Sequence, residues 1–347
     1  MSSAARLSAL GAALPQREFT TDEVLSRMSS GGQFEVERIT GIRTRRMVDR
    51  SAGEDSLTLG VRAAQDCLAR SRYAAADLDV IISAGTTVHD GFHMVFEPAA
   101  AHGIARGIGA DNAMGYDVVN ACGGTMTAIY LLENMIRAGL VRTGMVVTSE
   151  IISPVTEGAL AEAKDARDLQ FPALTLADAA IAVIVDRAED EGDRIHYVDM
   201  ITCAEFSPLC IAKPSDASEN MIMLTDNMTM QAAPRRETWA KLHRDRLIKR
   251  GTTFAEEKFD FIVFHQLGVA FTEKLAESGS KIHEAEMPPR LATVHKYANT
   301  GASTHFLALY DYISRGEIPK GSKVCLVPTA SGMIFGVLSA TIDSLVG

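Results

Sequence analysis

Val119-Asn-Ala-Cys122-Gly-Gly-Thr125 and Lys296-Tyr-Ala-Asn299-Thr-Gly-Ala302 are two short stretches that match in register. Each runs from a strand-like segment through a turn of small residues into a helical pattern. Cys122 is followed by Gly139 and Gly144, and Asn299 by Gly316 and Gly321, at the same separations. Between them Thr127 matches Thr304, Leu132 matches Leu309 and Ile136 matches Ile313. The glycines suit the end of a helix and the turn into a following strand. Several matches in one ungapped register predict a duplicated α/β fold rather than two unrelated turns. Corresponding strand-to-helix turns in two such halves can meet at a common cleft, which brings Cys122 towards Asn299.

The rest of the chain agrees with that reading. Short apolar runs at 79–84, 181–185, 259–264 and 322–327 read as buried strands. Helical patterns at 57–70, 125–138, 269–278 and 303–315 lie between them. Near-continuous apolar strands separated by helices predict sheets covered on both faces. The polar stretch 186–194 is the best boundary, giving halves of 1–187 and 188–347. His265 follows directly on the predicted strand 259–264, and ends of strands are where α/β proteins build sites. Cys122, His265 and Asn299 are thus a candidate convergent set. Taken singly, each has a structural alternative: a packing cysteine, a core histidine and a helix-capping asparagine.

Composition narrows the function classes. The chain has 347 residues, enough for two subdomains or one large duplicated fold. Lys plus Arg is 34 against 44 for Asp plus Glu, a net charge of -10, which disfavours a general nucleic-acid binder. No apolar run reaches the ~18 residues of a membrane span. The opening segment lacks the apolar stretch of a signal peptide. The five cysteines are scattered without a CxxC pair, so neither a disulfide scaffold nor structural zinc is expected, and a cytoplasmic location fits. No histidine spacing suggests a metal.

Asp117-Val-Val-Asn-Ala-Cys122-Gly-Gly-Thr resembles the nucleophile segment of the thiolase-fold condensing enzymes, specifically the β-ketoacyl-acyl-carrier-protein synthase III group. Phe264-His265-Gln266 and Ala298-Asn299-Thr300 resemble that group's histidine and asparagine motifs. Thr40-Gly-Ile-Arg43 resembles a short N-terminal signature, and Ser331-Gly332-Met333 falls where a glycine completes the oxyanion hole. The resemblance covers nearly the whole chain. It implies a layered αβαβα thiolase-like fold, a homodimer, and no bound cofactor. It also implies acyl thioesters of coenzyme A or acyl carrier protein as substrates. Cys122 would be the acylated nucleophile, helped by the positive end of a helix dipole. The N–H groups of Cys122 and Gly332 would hold the oxyanion. His265 and Asn299 would stabilise the enolate needed for carbon–carbon bond formation. The expected reaction is a Claisen condensation. The alternatives are transfer of the acyl group to an alcohol or amine, and a non-catalytic partner subunit.

Departures from the group's pattern refine the expectation. A Trp and an Arg that hold coenzyme A adenine fall near Glu35 and Ile39, and a further Asn and Arg fall at Gly268 and Ala270. These losses argue against acetyl-coenzyme A priming. Phe96-Glu97-Pro98-Ala99 and Pro172-Ala-Leu-Thr-Leu176 are similar to the branch that condenses two fatty acyl thioesters head to head. In that branch the matching glutamate acts as base across the dimer interface, so Glu97 is a candidate base. Its alternative is a capping or ion-pairing role before a helix that begins at Pro98. Asp178 is expected to play a structural hydrogen-bonding role. Met200, Met221, Met223, Met228 and Met230 are expected to serve core or dimer packing, or to line an acyl tunnel. The cations among Arg235, Arg236, Lys241, Arg244, Arg246, Lys249 and Arg250 suggest a carrier-protein docking surface on a helix that buries Trp239, Leu242 and Leu247.

Overall fold

The computed structural model describes residues 4–30, 34–90, 93–189 and 192–345. In chain order its first strands are β1 (Ala5–Ala13), β2 (Glu18–Thr20), β3 (Thr44–Arg46), β4 (Val80–Ser83), β5 (Met114–Asp117), β6 (Thr143–Glu150) and β7 (Ala179–Arg187). There follow β8 (Arg194–Thr202), β9 (Cys210–Pro214), β10 (Met221–Thr225), β11 (Phe261–Phe264), β12 (Ser322–Val327), β13 (Thr329–Ala330) and β14 (Ile334–Ile342).

Two mixed sheets carry the fold, and they repeat one another. The first has the order β1-β7-β6-β4-β5. In the second, β8 pairs with β14, then β12, then β11, and Ile262 of β11 bridges Arg290 beyond it. Orientation repeats as well. β7 is antiparallel to both β1 and β6, as β14 is to β8 and β12. β4 is parallel to β6 and β5, as β11 is to β12 and to Arg290.

Alternation along each strand builds three apolar layers. Val80 and Ile82 of β4, with Val263, Val324 and Leu338 of the second sheet, face a central core. That core is filled by the helices Gly124–Arg137 and Thr304–Ser314, through Ile129, Leu132, Phe306 and Leu309. Ile81 and Met145 face the opposite way, under the helices Ser56–Ala69 and Ala100–Ile108. Ile262 and Phe264 pack under the helices Thr238–Arg250 and Val269–His283. The result is five layers, αβαβα, and it explains the near-continuous apolar strands: both faces of both sheets are covered. No helix of the described residues is long and apolar enough to cross a membrane.

Candidate active site

The two central helices begin beside one another, and their turns carry the candidate residues. Cys122 lies just ahead of the helix Gly124–Arg137, after Ala121, whose φ of 45° is left-handed. Gly124 permits the approach: a Cβ there would stand 2.5 Å from the Ala84 carbonyl at the end of β4. Asn120 Nδ2 donates to Thr127 Oγ1 at 2.8 Å, and that hydroxyl donates to the Gly123 carbonyl at 2.9 Å, bracing the turn. Asn299 repeats the device. It follows Ala298, also left-handed with φ 56°, and precedes the short turn Gly301–Ser303 that opens the second central helix.

Asn299 is buried and fixed on both backbone sides. Its N–H donates to the Thr175 carbonyl at 3.0 Å, and its own carbonyl accepts from Ala177 N–H at 2.9 Å. Its Oδ1 accepts from Gly301 N–H at 3.0 Å, so the amide NH2 is the end left to serve a ligand. Gln266, next to His265, ties the histidine turn to the same segment. Its Nε2 donates to the Phe264 carbonyl at 2.8 Å, and its Oε1 accepts from Thr293 and Val294 N–H at 2.9 and 3.1 Å.

Cys122, His265 and Asn299 together line a cavity of about 250 Å³. One wall comes from the short helix Phe171–Thr175 and the β9–β10 hairpin, through Phe171, Pro172, Met223 and Thr225. The other comes from Ile39, Thr40 and the start of the helix Val269–His283. Ile39, Gly268 and Ala270, three of the positions where coenzyme A contacts are missing, face this cavity. Glu35, the fourth, is exposed and paired with Arg38.

Burial dominates the electrostatics. It pushes the Cys122 thiol well above the ordinary thiol range; nearby Glu150 and then Cys210 add to the rise, and its own backbone N–H only partly offsets it. Burial also holds His265 well below the usual imidazole range, reinforced by His305, which stacks on it at 5.6 Å. A neutral imidazole can still donate one N–H to a carbonyl, and His265 Nδ1 has no partner among the described residues. His305 Nε2 lies 3.1 Å from the Val327 carbonyl.

The remaining sequence candidates separate. Glu97 is exposed on this chain, joined to Pro98 by a cis peptide, and is not among the cavity residues. Gly332 adopts φ 129°, which L side chains rarely reach, and its neighbours Ser331 and Met333 line the cavity. Met223 and Met230 line it too, whereas Met200 and Met221 pack on cores and Met228 is exposed. Asp178 is fully buried and accepts from Ile152, Ser153 and Val48 N–H at 2.8, 2.8 and 2.9 Å, a structural role. Cys67 and Cys325 are core residues, whereas Cys210 lines the cavity. Among the described residues no group of three or more His, Cys, Asp or Glu is placed to hold a metal ion.

On the cationic helix, Trp239 and Leu247 are buried as expected. His243 takes the place given to Leu242, with its Nε2 2.8 Å from the Tyr197 hydroxyl. Several of the cations are engaged: Arg250 pairs with Asp199 at 2.8 Å and Lys241 with Glu237 at 2.8 Å, while Arg235 donates to the Thr229 carbonyl. Two buried supports escaped the sequence reading. Arg45, with its pKa lowered to about 10 by burial and then by Arg27, donates to the Leu176 carbonyl at 3.1 Å beside the Asn299 strand contact. Glu150 bonds Thr86 and Ala302, 64 and 152 residues away, beside the turns of Cys122 and Asn299. Both supports depend on contacts distant in sequence, which no local pattern reveals.

Family models for 3-oxoacyl-acyl-carrier-protein synthase III match residues 116–203, and for its C-terminal part residues 250–342. The chain belongs to the synthase III family. Among similar relatives is β-ketoacyl-acyl-carrier-protein synthase III of Clostridium novyi, 26% identical over 338 residues, covering 94% of this chain and 95% of that protein. The synthase III structure from Aquifex aeolicus superposes with a TM-score of 0.80 at 20% identity, covering 97% of this chain and 99% of that one. Xanthomonas campestris OleA, solved with lauric acid and lauroyl-CoA, gives 0.82 at 20%, covering 98% and 100%. The architecture is thus the α/β, thiolase-like fold of synthase III enzymes.

Proposed function

We propose that this protein is an acyltransferase that loads an acyl group on Cys122 and condenses it with a second acyl or malonyl thioester. The observation that carries the reading is the convergence of Cys122, His265 and Asn299 on one largely apolar-walled cavity. In the first step the Cys122 sulfur attacks the thioester carbonyl. A new C–S bond forms, the donor's C–S bond breaks, and the thiol proton leaves with the donor's thiol. The N–H groups of Cys122 and Gly332 are the proposed oxyanion donors. In the second step a carbanion attacks the acyl-cysteine carbonyl: a C–C bond forms, the Cys122 C–S bond breaks, and the released sulfur takes up a proton to restore the thiol. Neutral His265 and the Asn299 amide donate to the carbonyl of the second thioester as its enolate forms.

The second donor decides the role of Glu97. With a malonyl thioester, loss of carbon dioxide generates the carbanion and no base is needed. With an ordinary acyl thioester a base must remove the α-proton, and Glu97 of a second copy is the candidate. The protein is read as a cytoplasmic homodimer, with the chain divided into halves 1–187 and 188–347. The donor is a coenzyme A or acyl-carrier-protein thioester, and no bound cofactor is required. Loss of the adenine-holding residues favours a donor other than acetyl-coenzyme A.

Product analysis with each donor type tests the reading. A β-keto product is expected from at least one pairing. If Glu97→Gln still acylates Cys122 but forms no product from two acyl thioesters, the non-decarboxylative route holds. Full turnover of that variant with release of carbon dioxide from a malonyl donor eliminates it. Transfer of the acyl group only to alcohols or amines would replace the condensation reading.

A further inference from the structure

Glu150 ends β6, is 0% exposed, and lies where the two halves of the site meet. Its Oε1 accepts from Ala302 N–H at 3.1 Å and from Thr86 Oγ1 at 2.9 Å, and its Oε2 accepts from Thr86 N–H at 3.1 Å. Ala302 belongs to the turn that follows Asn299. The same residue is held from its carbonyl side by Thr125 Oγ1 at 2.7 Å, three residues after Cys122. The backbone passes so close that a Cβ on Gly301 would stand 3.0 Å from Glu150 Oε1. Gly301 N–H in turn holds Asn299 Oδ1. A continuous path therefore runs from β6, through one carboxylate, to the orientation of the Asn299 amide.

The proton affinity of Glu150 is pushed up to about 7 by burial, opposed by the Ala302 and Thr86 hydrogen bonds and raised further by Asp178. Glu150 accepts in all three of the bonds from Ala302 and Thr86, an arrangement that favours the carboxylate.

We propose that Glu150 is a positioning residue: it ties the Asn299 turn to the Cys122 half of the site and so fixes the Asn299 amide for the second step of the reaction proposed above.

Glu150→Asp keeps the charge and shortens the reach to Ala302, and Glu150→Gln keeps the length and sets an NH2 against the Thr86 N–H. Intact mass records loading of Cys122 by an acyl thioester separately from its discharge by a second thioester, and hydrogen exchange of the Gly301–Ser303 amides reads the tie without any donor. The expected result is loading within about twofold of wild type in both variants, discharge slowed about tenfold or more, as for loss of a hydrogen bond to a charged group, and faster exchange in Gly301–Ser303. The exchange arm stands alone, whereas the discharge arm rests on the function proposed above. A wild-type protein that condenses nothing, with exchange still faster in the variants, supports the role of Glu150 and counts against the substrate reading. Unchanged exchange or wild-type discharge in Glu150→Asp overturns the tie, and does so even where the Gln variant fails to fold.

Discussion

Cys122, His265 and Asn299 share one cavity but face different tasks, and their surroundings differ accordingly. The thiol is raised by burial, Glu150 and Cys210, so its thiolate fraction at neutral pH is smaller than that of a free cysteine. The histidine is shifted the opposite way by burial and His305. A base with a lowered pKa stays neutral as pH falls through the usual imidazole value of about 6.5. Condensation from preloaded Cys122 should therefore show no His265 titration between pH 7 and pH 6; a fall there that persists in Glu150→Gln, which removes the buried carboxylate raised to about 7, would show His265 titrating normally. His265→Ala and Asn299→Ala should each still load Cys122, because neither side chain is assigned to the first step. Each should slow the second step by roughly 10²–10⁴-fold, the range for a positioned catalytic group. Single-turnover mass spectrometry separates the steps, and loss of loading in either variant would remove that assignment.

At the scale of elements, the two turns that present the nucleophile and the amide carry the same strain. Ala121 and Ala298, one residue ahead of Cys122 and Asn299, both have positive φ, and Ala298 combines φ 56° with ψ -153°. That conformation is close to glycine-only and costs about 1–3 kcal/mol. Ala298→Gly should accordingly raise unfolding free energy by about 1 kcal/mol after the extra chain entropy of glycine. A denaturant midpoint unchanged or lowered would show that the turn is relaxed. Much of this architecture is legible in the sequence. The matching register around Cys122 and Asn299 anticipates two central helices in equivalent places, and the apolar runs fall on β4, β7, β11 and β12. The cavity wall is less legible, since in the short β9–β10 hairpin the first strand is half-buried or exposed throughout and the second mixes half-buried with buried residues, without a two-residue alternation. Glu150 is invisible in the same sense. Alone at the end of an apolar strand, it gains meaning only from Thr86 and Ala302, brought to it by the fold. His243 misled the helical pattern because a polar ring fills a core position by bonding the Tyr197 hydroxyl.

For the molecule as a whole, the free edge of the first sheet carries exposed apolar side chains. β5 pairs on one side only, with β4, and Met114 is 49%, Val119 69% and Phe96 83% exposed. An uncovered edge strand beside such residues is a ready surface for a second copy, and Glu97 adjoins it. Light scattering at micromolar concentration should give about twice the chain mass of 37.3 kDa. A stable monomer would exclude both the dimer and the cross-subunit base. The central claim, however, is covalent, and one measurement addresses it most directly. The protein is mixed with a fatty acyl-coenzyme A, its intact mass is recorded, and the modified peptide is located before and after a second thioester is added. The expected result is one acyl group on Cys122, absent in Cys122→Ala and discharged by the second thioester. No adduct with any acyl donor, or an adduct on Cys210 that persists in Cys122→Ala, would contradict it.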